Sequence, residues 1–223
     1  MKDYRLIIIS YNSNIKILFA EKNLLLQEIE ISTNTSSRSL IPSIKDLLKA
    51  YDISLKDLTG IWADHGPLAF TTLRTIVVTI NGLAFSSGIK LFPISSLMLE
   101  AIIQSKNMSE EVSAVMLNAY SKQVFVTAVS KDGRVVINPQ CLNLDKAVTE
   151  LNSLQKSIKL AGSGSLVYKN EIKTLLNDNI EINEIIHLNG LDIVSELYDK
   201  TDLSKSCLEL TPQYIKPGFL SKS

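Results

Sequence analysis

The sequence predicts a mixed α/β protein of two tandem domains, each running β-β-β-α-β-α. Three observations carry this. Hairpin-linked apolar runs open both halves, a helical repeat and a short buried strand follow in each, and 223 residues, 45% of them hydrophobic, fall between one ordinary domain and two small ones. An undivided α/β domain with an embellished end is the simpler alternative.

Tyr4 to Ser10 is a β-branched run, Tyr11-Asn12-Ser13-Asn14 is turn-rich, and Asn14 to Glu21 resumes as strand, so the chain opens on a hairpin. Asn23 to Ile31 completes a meander. The Ser/Thr/Asn-rich stretch from Ser32 to Ser39 is a loop ending in a helix N-cap signal. Leu40, Ile44, Leu47, Leu48 and Tyr51 then recur at helical spacing, with Pro42 tolerated in the first turn. Gly60 to Asp64 is short and apolar, a buried strand. After the His65-Gly66-Pro67 turn, Leu73, Ile76, Val77, Ile80 and Leu83 trace one face of a helix from Phe70 to Ser86. Its Thr and Val content gives it little intrinsic propensity, so packing must hold it. A short strand around Leu91 and a helix from Ser96 to Lys106 follow, and the domain boundary is expected at 105/106.

The order then repeats. Val112 to Asn118 and Gln123 to Ser130 read as a hairpin, Lys131-Asp132-Gly133-Arg134 as a turn, and Val135 to Ile137 as a third strand. A helix near Asp145 to Lys156, a strand from Ser157 to Ala161, a Gly162-Ser163-Gly164 turn and a helix from Leu166 to Asn177 complete the second half. Twice-run hairpins with crossover helices are the topology of the actin-like ATPase group (RNase H-like), which includes Hsp70 and the sugar kinases. There a nucleotide lies between the halves.

Composition narrows the chemistry. The 23 basic residues balance 23 acidic ones, and only Arg5, Arg38, Arg74 and Arg134 are arginines, so tight binding of RNA by the isolated chain is not expected. His65, His187, Cys141 and Cys207 stand far apart, without zinc spacing, and the cysteines read as reduced thiols. Leu6 to Ile9 is too short for a signal sequence and no run approaches a membrane span, so a cytoplasmic protein is expected. A phosphotransferase needs carboxylates at the hairpin turns to hold Mg²⁺. The turns here hold Ser10 to Asn14 and Asn118 to Gln123, without an acid. Gly66-Pro67 and Gly162-Ser163-Gly164 each precede a helix, where N–H groups can face an anion. Both also read as ordinary turn punctuation. Ser10, Asn12, Gly66, Pro67, Asn118, Gly162 and Gly164 are thus the residues of a vestigial nucleotide cleft, with no metal and no cofactor expected.

The block from Gly66-Pro67-Leu68-Ala69-Phe70-Thr71-Thr72-Leu73-Arg74 through Asn81-Gly82-Leu83-Ala84 to Pro93-Ile94-Ser95-Ser96-Leu97 resembles the signature of the TsaB (YeaZ) family, GPGSFTGLR...GLA...P..GVSSL. The resemblance extends to the opening hairpin from Arg5 to Ala20, to Leu40-Ile41-Pro42, to Ala161-Gly162-Ser163-Gly164 and to Pro212-Gln213-Tyr214-Ile215-Lys216. It also has departures. Ser10-Tyr11-Asn12 stands where the family has Asp-Thr-Ser, Asn118-Ala119-Tyr120 where it has Asp-Ala-Arg, and Gln123 in place of a common Glu. Leu68, Ala69 and Thr72 replace Gly, Ser and Gly.

The resemblance implies a non-catalytic subunit. TsaB proteins pair with TsaD, a related subunit carrying metal-binding histidines that transfers threonylcarbamoyl to the adenosine next to the tRNA anticodon, and the ATPase TsaE joins the pair. It further implies that helices matching Leu40 to Ala50 and Phe70 to Ser86 bundle with the partner's, or with a second copy when the partner is absent. On this reading Leu40, Ile44, Leu47, Leu48, Leu73, Ile76, Val77 and Ile80 are the expected partner interface, and tRNA is met only through the complex. A small-molecule kinase or acyltransferase of the same fold, revealed by Mg-ATP turnover, is the alternative. A degenerate binding module that has lost its partner is a third.

Overall fold

The computed structural model describes residues 3–183 and 188–215. Tyr4–Tyr11 (β1) and Asn14–Glu21 (β2) form the first hairpin, with Tyr4 opposite Glu21 and Tyr11 opposite Asn14. Asn12 turns it at φ 54°, a left-handed conformation that Asn tolerates. Leu24–Ser32 (β3) adds antiparallel to β2, while Leu58–Asp64 (β4) and Leu91–Ile94 (β5) add parallel on the other side of β1. The sheet order is β3-β2-β1-β4-β5. A central strand is covered on both faces, which is why Leu6, Ile7, Ile8 and Ile9 form an unbroken apolar run.

One face of this sheet carries Ser36–Ala50 (α1) and Phe70–Ser87 (α2). Leu40, Ile44, Leu47 and Leu48 from α1, and Leu73, Ile76, Val77 and Ile80 from α2, pack with Leu6, Ile8, Ile15, Ile17, Phe19 and Ile61 in one core. All eight expected interface residues are therefore inside the chain's own core, none more than 6% exposed. The correction has a simple cause: helical periodicity marks the stripe that meets the sheet, and that stripe is wholly used there. Gly88 ends α2 in the left-handed region, its N–H donating to the Ala84 carbonyl. On the other face Trp62 stacks on Phe92 with ring centroids 4.3 Å apart, and the Arg5 guanidinium lies 4.8 Å from the Trp62 ring and 4.5 Å from that of Tyr198.

The second sheet repeats the first. Val112–Asn118 (β6), Gln123–Ser130 (β7) and Val135–Asn143 (β8) form the meander, and Ile158–Ala161 (β9) and Ile180–Ile182 (β10) add parallel beside β6, giving β8-β7-β6-β9-β10. Ser96–Lys106 (α3) precedes it, Leu144–Ser153 (α4) crosses over, and Ser163–Val167 (α5) and Lys169–Lys173 (α6) follow β9. Leu144, Ala147, Val148 and Leu151 of α4 pack on one face with Ala114, Met116, Val124 and Val126. Leu97 and Ala101 of α3 pack on the other with Val115, Phe125 and Val129. The seventh helix is Gly190–Lys200 (α7).

The doubled α/β architecture stands, with three differences in detail. Each sheet gains a fifth strand, of which β10 was not expected. The helix expected from Leu166 to Asn177 is two short helices that meet at Tyr168 (φ −101°, ψ 17°). β8 runs to Asn143, well past Ile137. Residues 3–96 form one compact unit together with 188–213, and 97–183 with 214–215 form the other, whereas a single cut at 105/106 was expected. The return is made by α7, which packs on β3 and β2, and by the segment after it. Among the described residues no helix is long and apolar enough to cross a membrane.

Candidate functional site

The strand ends of the first unit converge on a residue the sequence did not single out. Asp64 closes β4 and is fully buried. Its Oδ2 accepts from the Ser10 N–H at 3.2 Å, and its Oδ1 from the Gly66 N–H at 3.1 Å and the Ser96 N–H at 3.3 Å. Burial raises its pKa, and these donors oppose the rise by favouring the ionised form. The structure thus brings Ser10, Gly66 and Pro67, joined by a cis peptide, to one carboxylate supplied by the neighbouring strand. Both oxygens are already engaged by the backbone. Asn12 stands away from it, exposed in the hairpin turn. An Asp ending an apolar buried strand was the available signal.

The second unit has the matching junction without an acid. The Asn118 N–H donates to Ser163 Oγ at 3.2 Å, and Asn118 Oδ1 accepts from the Tyr120 N–H at 2.9 Å and the Tyr168 hydroxyl at 3.3 Å. Gly162 and Gly164 lie against β6, where an added Cβ would come 2.4 Å and 2.9 Å from the Met116 carbonyl oxygen. Their requirement is close backbone approach. Gln123, at the start of β7, reaches Asn143 Oδ1 at 3.4 Å. His65 is a structural link: its N–H donates to the Ile94 carbonyl, its carbonyl accepts from the Gln213 N–H, and its Nδ1 lies 3.2 Å from the Thr211 carbonyl. His187 lies outside the described residues. Cys141 and Cys207 are not joined in a disulfide, and among the described residues no three His, Cys, Asp or Glu side chains are grouped to hold a metal.

The surface feature of the first unit is the outward side of α2. Phe70, Arg74, Val78, Gly82 and Phe85 follow one another at intervals of four, four, four and three, and so share a face. Val78 is 70% and Phe85 94% exposed. The Arg74 guanidinium covers Phe70 at 3.9 Å from its ring, and a Cβ on Gly82 would meet nothing within 4 Å. Ile41 of α1 is also exposed and lines a groove with Leu48, Ile53, Leu55 and Leu83. Ile41, Phe70, Val78 and Phe85 fall outside the periodic stripes, so the sequence reading did not assign them to the interface.

Residues 28–190 match the family model described as TsaD: tRNA N6-adenosine threonylcarbamoyltransferase. The Haemophilus influenzae protein named tRNA threonylcarbamoyladenosine biosynthesis protein TsaB is 25% identical over 199 residues, covering 84% of this chain and 82% of that one. Among solved structures, YeaZ from Pseudomonas aeruginosa aligns with a TM-score of 0.67 at 17% identity, covering 88% of this chain and 91% of that one. A ROK-family protein from Streptococcus pneumoniae aligns with a TM-score of 0.51 at 11% identity, covering 89% and 97%. At such identities the structural likeness concerns the fold, which is that of the actin-like group.

Proposed function

This chain belongs to the TsaD family and is similar to TsaB proteins, and on that premise we propose that it is the non-catalytic subunit that pairs with a TsaD subunit in forming threonylcarbamoyladenosine next to the tRNA anticodon. The observation that carries the pairing is the outward face of α2. A helix whose core stripe is fully satisfied still holds Phe70, Val78 and Phe85 toward solvent, with a glycine between them that admits a close neighbour. The interface is accordingly assigned to these residues and Ile41, in place of the eight buried ones. In the absence of TsaD the same face pairs with a second copy. TsaE joins the assembled pair, and tRNA is met through the complex.

The strand ends support a non-catalytic role. Ser10 and Asn118 offer no carboxylate for Mg²⁺, and Asp64 accepts backbone N–H groups with both oxygens. The test is co-elution with the TsaD subunit of the same organism. Full burial of an aliphatic side chain is worth about 1.5–3 kcal/mol, and a charge placed there adds a desolvation cost, so Val78→Asp and Phe85→Asp should each weaken association by roughly a hundredfold or more. Both positions are exposed, so the thermal transition of the chain alone should stay within a few degrees. Undiminished binding by both variants would remove the α2 assignment. Mg-ATP turnover by the isolated chain would replace the scaffold reading with the kinase or acyltransferase one.

A further inference from the structure

The segment following α7 meets the first unit at three stations set three residues apart. Cys207 pairs with Leu91 through both backbone bonds, each 2.9 Å. Asn81 of α2 donates from Nδ2 to the Leu210 carbonyl at 3.0 Å and accepts the Leu210 N–H on Oδ1 at 2.8 Å. Gln213 donates to the His65 carbonyl at 2.7 Å. Leu91 lies just beyond the C-terminal end of α2, Asn81 within it and His65 before its N-terminal end. The segment therefore runs antiparallel along the helix. Six extended residues span about 20 Å, so the segment follows most, and not all, of the roughly 27 Å of the 18-residue helix.

Asn81 holds Leu210 as a neighbouring strand would, through one donor and one acceptor, and the Leu210 side chain enters the core. At 100° per residue, Asn81 sits on the flank of α2 between the buried stripe and Phe85. The segment thus borders the outward face of α2, and it carries Leu208, 79% exposed, between its Leu91 and Asn81 stations. Resting on the proposed pairing with TsaD, we infer that residues 207–213 form a second wall of that docking surface, with Asn81 as the positioning residue that joins the wall to α2. The occupant is the TsaD subunit itself. Because its family model matches this chain, it has a helix equivalent to α2 to lay against the apolar strip made by Val78, Phe85 and Leu208.

Hydrogen exchange on the full chain, alone and with TsaD, tests this alongside affinities of the variants. The amides of residues 208–211 should exchange several-fold more slowly in the complex. Asn81→Ala should speed exchange at Leu210 in the free chain and weaken TsaD binding about tenfold or more, while Thr75→Ala, on the helix surface away from the segment, leaves both unchanged. If Val78→Asp abolishes binding but residues 208–211 exchange equally with and without TsaD, the wall is refuted and the pairing stands. If neither Val78→Asp nor Asn81→Ala alters binding, the pairing through α2 fails with it.

Discussion

Glu100 of α3 offers a pH dependence that can be assigned to one residue. It is 3% exposed, and its Oε1 has no hydrogen-bond partner among the described residues. Burial pushes its carboxyl up from 4.5 to about 8. The unfolded chain loses this proton near 4.5, and the folded chain keeps it until about 8. Its contribution to stability is therefore fully present below 4.5 and is lost as the pH rises to about 8, at about 1.4 kcal/mol per unit, roughly 5 kcal/mol in all. Glu100→Gln keeps the shape and cannot ionise. Wild type and variant should unfold at nearly the same temperature at pH 5, and the variant should melt roughly 10 °C higher at pH 8.5. Other titrating groups cancel in the difference. A gap that stays constant between pH 5 and pH 8.5 would refute the reasoning, because Glu100 would then ionise in the fold without penalty.

Asp64→Ala leaves three buried N–H groups without an acceptor and should lower stability by about 3 kcal/mol or more, read from the urea midpoint; an unmoved midpoint removes the residue's role. Gly164→Ala forces a methyl group against the Met116 carbonyl and should cost roughly 1–3 kcal/mol in the same measurement. Gly82→Ala meets no neighbour and sits inside a helix, so it should stabilise the isolated chain by about 0.5–1 kcal/mol while weakening TsaD binding measured by calorimetry.

The fold was legible where one physical rule decides the local structure. Alternation and β-branching gave both hairpins, because β1, β2, β6 and β7 are buried over most of their length and nothing competes with strand there. β10 is three residues long, too short to show a period, and is defined only by pairing with β9. The break at Tyr168 likewise depends on tertiary contact, since its hydroxyl reaches Asn118 fifty residues away. The candidate site was harder. A hydrophobic stripe reports the face that is already covered, so Leu40 and Ile80 were conspicuous and Val78 and Phe85 were not. Asp64 could be suspected of burial only from its place at the end of an apolar strand, and Glu100 has no such signal in the sequence. The path of residues 207–213 has no periodicity to find, because one side chain, Asn81, and two backbone pairings fix it.

The return of the chain to its first unit makes the two units unequal during synthesis. The second unit is continuous from 97 to 183 over nearly all its length, so its core can assemble as soon as that stretch has emerged. The first unit begins earlier and finishes later. Thr201, which accepts from Trp62 Nε1 at 2.9 Å, and Leu210, which fills the core beneath α2, are made only after residues 97–183. For that interval the back of its sheet and one flank of α2 lie open, and the first half to be translated is the last to close.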